Sequence, residues 1–269
     1  MPAPAPPARS RAKLLARHGR ASPALVCPLV LGQAAEIEAL PMQWFLTDAT
    51  KLANGLRALH GALGNDVIVT AAADGLAAAA AGAGSITAHP RVTAAVEATR
   101  RLAATADDAA LAVALCGPAR LAAQLGHSPT DHAVLEPCGA MLLALAKAFL
   151  EAGANLLLVV EAEALPAASG DSWRSAATPL VNVARFHQAA AVVVLADPAS
   201  AAVAPRGAVV CLPPSDAGAG QGIALSADPA AWGPPPPGAP LVTSLGPVRG
   251  GFAESRAAVG MLTAAVAGV

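Results

Sequence analysis

Two acids, Glu161 and Glu163, follow the apolar run at 155–160. Acids so spaced at a strand end can share acid–base work or orient a metal. A solvated loop or a helix cap is their plainer use. Asp74 stands in a similar place, after the run at 67–72 and directly before Gly75-Leu76-Ala77. A carboxylate there can stabilise a developing cation. It is equally a good helix N-cap, and the two uses are compatible. Arg249, Gly250 and Gly251 lie between the last apolar run and the last helical stretch. Glycines leading into a helix N-terminus form an anion site, which makes this trio a candidate substrate-binding corner. An ordinary glycine-rich turn is the alternative.

Other chemistry is less well supplied. The cysteines Cys27, Cys116, Cys138 and Cys211 are widely spaced, with no CxxC pair. Three lie in or at the end of apolar runs, which fits buried free thiols. His127, His132 and Cys138 are spread along a proline-containing stretch, too loosely for a zinc site. Gly218, Gly220 and Gly222 precede a strand-like run instead of joining a strand to a helix, so they are no dinucleotide fingerprint. The expectation is no metal and no cofactor.

Bulk properties narrow the classes. Net charge is −1 and aromatic residues are 3%, with no tyrosine. Nucleic-acid binding needs clustered cations and stacking rings, so that class is set aside. The basic, Pro/Ala-rich start, 1–20, is followed by an apolar stretch at 24–31 that Pro28 breaks, too short for a signal sequence. No uninterrupted apolar run approaches the ~18 residues of a membrane span. The chain is therefore expected in the cytoplasm, with no membrane partner, and a homodimer is compatible with it.

The elements that would position these residues alternate. Apolar runs at 24–31, 67–72, 110–115 and 155–160 are separated by helical patterns at 48–63, 91–106 and 140–152. Leu52, Leu56, Leu59 and Leu63 recur at helical spacing, and Gly153 is a helix stop. Strand and helix in alternation predict a parallel sheet, whose strands, covered on both faces, are continuously apolar. The second half is less regular. A helix is expected at 179–188, short strands at 207–212, 222–226 and 240–245, and a closing helix at 253–267. Residues 191–196 (AVVVLA) fit either an eighth strand or the end of the preceding helix, which leaves seven or eight strands. The fold class expected is α/β, a (β/α)8 TIM-like barrel, irregular in its C-terminal half, over 21–269 behind a basic tail at 1–20.

Three segments resemble the uroporphyrinogen decarboxylase superfamily. They are GND with AAADGLAAAAAG within 64–82, CGPARLAAQLG at 116–126, and AFLEAGANLLLVVE at 148–161. ALSAD (224–228) and VTSLGP (242–247) are weaker echoes. That group holds the decarboxylase of haem synthesis and zinc methyltransferases serving corrinoid proteins and coenzyme M. The resemblance implies a barrel in which Asp74 points into the cleft as electrostatic centre. His18-Gly19-Arg20 faintly echoes the family's carboxylate-gripping arginine motif, which would make Arg20 a substrate clamp; a basic tail is the alternative. The His-x-Cys zinc pair of the methyltransferases has no counterpart here. The decarboxylase cleft's tyrosine is absent, and no histidine follows His187.

The function expected is a divergent lyase of decarboxylase type acting on a small carboxylated molecule. Asp74 and Glu161 would be catalytic, and Arg20, Arg249, Gly250 and Gly251 would bind substrate. A methyltransferase of the same superfamily and a non-catalytic binding protein are the alternatives.

Overall fold

The computed structural model describes residues 5–72, 75–82 and 85–268. The apolar runs become eight strands: β1 (Leu25–Cys27), β2 (Val67–Ala71), β3 (Ala110–Cys116), β4 (Leu156–Glu161), β5 (Ala190–Leu195), β6 (Val209–Leu212), β7 (Gly222–Leu225) and β8 (Leu241–Ser244). All are parallel, in the order β1-β8-β7-β6-β5-β4-β3-β2. AVVVLA is thus a strand, β5, paired with β4 and β6. The result is a nearly closed (β/α)8 TIM-like barrel.

Ten helices of α type surround it among the described residues: α1 (Ala8–His18), α2 (Gly32–Ile37), α3 (Met42–Phe45), α4 (Ala49–Leu63), α5 (Leu76–Ala81), α6 (Pro90–Thr105), α7 (Pro118–Gln124), α8 (His132–Glu151), α9 (Gly170–Phe186) and α10 (Phe252–Ala267). Between β5 and β8 no α-helix intervenes; short 3-10 turns and Pro/Gly loops make the crossovers. The irregular second half is therefore real, yet β8 still pairs with β1.

Side chains on the strands alternate between two apolar compartments. Leu111, Val113 and Leu115 of β3 face the helices, whereas Ala110, Ala112 and Ala114 face the barrel axis. Helix α1, drawn from the stretch expected as a basic tail, packs Ala8, Ala12 and Leu15 onto that inner compartment. It closes the N-terminal end of the barrel. The Cys27 and Cys211 thiols lie in the same interior, where burial pushes both far above the usual thiol range. They are packing residues.

The seam between β1 and β2 is closed by Asp66. Its N–H donates to the Val26 carbonyl at 3.2 Å, and its carboxylate accepts the Val26 N–H at 2.9 Å. The Arg11 guanidinium, buried in α1, pairs with the same carboxylate.

Helix α8 is long and apolar enough to cross a membrane by length and composition. Here Leu135, Leu142, Leu145 and Phe149 are fully buried in the outer core.

Candidate functional site

In barrels of this kind chemistry sits at the C-terminal ends of the strands. Glu161 ends β4 and is 2% exposed. Its Oε1 accepts the Trp173 indole N–H at 2.7 Å and the Ala119 N–H at 3.0 Å. Its Oε2 accepts the Arg120 N–H at 3.0 Å. The carboxylate therefore lies at the start of α7, and α9 brings Trp173 to it. Burial pushes its carboxyl up from 4.5 to about 7, against these three donors and the Arg120 charge, which pull the other way.

Gly117 makes room for this arrangement. A Cβ there would stand 2.0 Å from Glu161 Oε1. Its backbone is extended, so the missing side chain is a matter of space and not of dihedral freedom. Cys138 of α8 lies close enough for the Glu161 charge, with burial as the larger cause, to push its thiol up.

Glu161 borders a cleft of about 410 Å³ shared with Arg120, Gln124, Pro129, Glu163 and Leu165. Glu163 is exposed on its rim. The two acids thus do meet at one cleft, in unlike settings: one dry, one wet. Such a separation is how two carboxylates take different protonation states.

The other expected residues are elsewhere. Asp74 lies outside the described residues. Arg20 is exposed in the loop from α1 to β1, at the N-terminal end of the strands and opposite the Glu161 cleft. Arg249 is exposed at the C-terminal end of β8, its N–H donating to the Ala227 carbonyl. The anion corner expected there is held by the chain itself. The Phe252 N–H, first in α10, donates to Glu36 Oε2 at 2.9 Å, and the Gly250 carbonyl accepts the Gln33 amide at 3.1 Å. Gly250 has φ +88°, the conformation that favours glycine, and Gly251 caps α10. An acid of the chain thus occupies the position an anionic ligand would take.

Trp173 and Gly117 were missed by sequence reasoning. Trp173, in a helix twelve residues past Glu161, carries no local sign of its hydrogen bond. Gly117 did fall within the CGP turn, but nothing in that turn indicates which side chain fills the space.

Among the described residues, no group of three or more His, Cys, Asp or Glu side chains could hold a metal. His127 and His132 are exposed while Cys138 is buried, so that loose trio does not converge. The donor set for zinc is not there among these residues.

No protein-family model matches the chain, and no curated protein matches it. Solved structures do. A methyltransferase from Methanosarcina mazei superposes with a TM-score of 0.65 over 97% of this chain and 98% of that one, at 14% sequence identity. At that identity the likeness establishes a shared fold, that of a parallel eight-stranded barrel.

Proposed function

We propose that this chain is an enzyme of the uroporphyrinogen decarboxylase superfamily that transfers a methyl or other small alkyl group, with Glu161 as its proton-accepting residue. One observation carries the reading: a buried carboxyl, raised to about 7, at a strand's C-terminal end beside an open cleft. A group poised near neutral pH is suited to general acid–base work. The structural likeness to a methyltransferase favours transfer over decarboxylation. So does the position of Arg20 and Arg249, which do not meet as carboxylate clamps. In the step, the acceptor's S–H or O–H proton passes to a Glu161 oxygen as the new bond to carbon forms. The donor's bond to that carbon breaks, and the donor keeps the electron pair. No step is routed through zinc, for which the described side chains provide no ligand set.

The test uses methylcobalamin as donor and small thiols as acceptors, followed by corrinoid absorbance. Wild-type protein is expected to demethylate the donor. Glu161→Gln should be slower by about 10²-fold or more, the scale of a general base. A variant within about threefold of wild type removes Glu161 from the chemistry. No thiol-dependent demethylation removes this donor–acceptor pair.

A further inference from the structure

A second cleft opens between α3 and the start of α6. It encloses about 430 Å³ and is lined by Met42, Gln43, Leu46, Thr47, His89, Pro90 and Arg91. Arg91 also borders a small cavity over Thr70, Ala71 and Ala72, at the C-terminal end of β2. The cleft thus adjoins the catalytic rim of the barrel, two strands along from Glu161, on the order of 10 Å of sheet.

Its polar atoms are unsatisfied. Arg91 Nε and His89 Nδ1 are both buried, and neither has a hydrogen-bond partner. No ion pair engages Arg91 among the described residues. The acids on the adjoining helices are committed elsewhere: Glu97 to Arg100 and Arg101, and Asp48 to the N–H groups of Thr50 and Lys51. The first turn of α6 holds no acidic residue and no side-chain cap. Burial depresses the Arg91 guanidinium below its usual value, with no charge partner in opposition. A half-buried cation and a buried ring nitrogen left unpaired are costly unless a ligand completes them. The remaining walls, Met42, Leu46 and Pro90, are apolar.

We propose that Arg91 and His89 form a subsite for the carboxylate or sulfonate head of a small organic molecule whose apolar body lies on Met42, Leu46 and Pro90. The guanidinium fork matches a planar two-oxygen head, and His89 donates one further hydrogen bond from Nδ1–H. A molecule held there by its head would lie along the rim that leads to β3 and β4. The subsite stands on its own atoms and does not depend on the role given to Glu161.

Benzoate is the probe, with benzamide as its uncharged isostere and inorganic phosphate as the anion without an apolar body. Binding is read by titration calorimetry and ligand-detected NMR. Benzoate is expected to bind in the millimolar range, with benzamide and phosphate each about tenfold weaker or more. Arg91→Gln should lose about tenfold in benzoate affinity, with Arg91→Lys in between because it keeps the charge and loses the fork. Arg249→Gln and Glu161→Gln should bind benzoate as wild type does, which separates this site from the catalytic reading. Equal binding of benzoate and benzamide, or a folded Arg91→Gln with wild-type affinity, overturns the proposal. So does phosphate binding as tightly as benzoate, or no benzoate binding up to about 50 mM. Should Arg91→Gln fail to fold, wild-type affinity in Arg91→Lys is the overturning result.

Discussion

The Glu161 carboxyl contributes to stability as well as to chemistry. In the unfolded chain it titrates near 4.5, and in the folded chain near 7. Below about pH 4.5 both states hold the proton and the shift contributes nothing. Between the two values the folded state keeps a proton that the unfolded state has lost, so raising the pH favours unfolding. Above 7 both states are ionised and the full cost is present, on the order of 3 kcal/mol from the shift. Unfolding free energy from urea titrations should therefore fall between about pH 5 and pH 7.5 in wild type. The fall attributable to this group should vanish in Glu161→Gln. The protonated carboxyl's C=O stretch should disappear with a midpoint near 7. A midpoint near 4.5 would leave Glu161 as a helix-capping acid only. The sequence indicated an acid after a strand, and that was legible because an apolar run ending in Glu is a local pattern. Its protonation was not legible. It depends on Trp173, Ala119 and Arg120, which fold around it from three other places in the chain. Arg91 was unreadable for the opposite reason: its distinction is the absence of partners, and no local pattern displays an absence.

At the scale of elements, the strands were legible and the helix contacts were not. Runs such as ALAVAL and NLLLVV are apolar on both faces, which a strand covered on both sides requires. AVVVLA was ambiguous because a short apolar run fits strand and helix equally; pairing with β4 and β6 decides it. Nothing local reveals that α8 and α9, which deliver Cys138 and Trp173, cross at Gly139. A Cβ on Gly139 would stand 2.7 Å from the Ala176 carbonyl oxygen and 3.0 Å from the Ala176 Cβ. Both belong to a buried helix and cannot swing aside. Gly139→Ala should therefore destabilise by about 1–3 kcal/mol, as overpacked cores do. It should also disturb the Trp173 environment, visible in near-ultraviolet circular dichroism. Gly61, in α4, has nothing within 4 Å of its Cβ position. Gly61→Ala should stabilise by about 0.5–1 kcal/mol, since it lacks only the helix propensity of alanine. Opposite signs for two helix glycines, read as urea midpoints, would test the packing directly. Equal effects would mean that α8 and α9 are not as close as described.

At the scale of the molecule, the barrel is closed by side chains where its sheet is not. Strands β1 and β2 end the order of the ladder, and the space between them is spanned at the N-terminal end by Asp66. That carboxylate is held from below by Arg11, which also donates to the Ala24 and Pro6 carbonyls at 2.9 and 3.1 Å. One buried guanidinium thus ties α1, the loop before β1, and β2 into one unit. The stretch before residue 20 looks like a tail in sequence because its cations outnumber its apolar residues. Yet Ala8, Ala12 and Leu15 recur at helical spacing, and the fourth buried residue of the helix is Arg11. Removing the arginine leaves Asp66 without its cation and the carbonyls without their donor, whereas an exposed pair would cost little. Arg11→Met, which keeps most of the volume, should lower stability by about 3–5 kcal/mol. The neighbouring exposed Lys13→Met should change it by less than about 0.5 kcal/mol. The double variant Arg11→Met with Asp66→Asn should recover part of the loss, because the unpaired charge is then gone. Urea titrations of the four proteins check this. If Arg11→Met unfolds with the wild-type midpoint, α1 is not the element that closes the barrel floor, and the seam must be held by the strands alone.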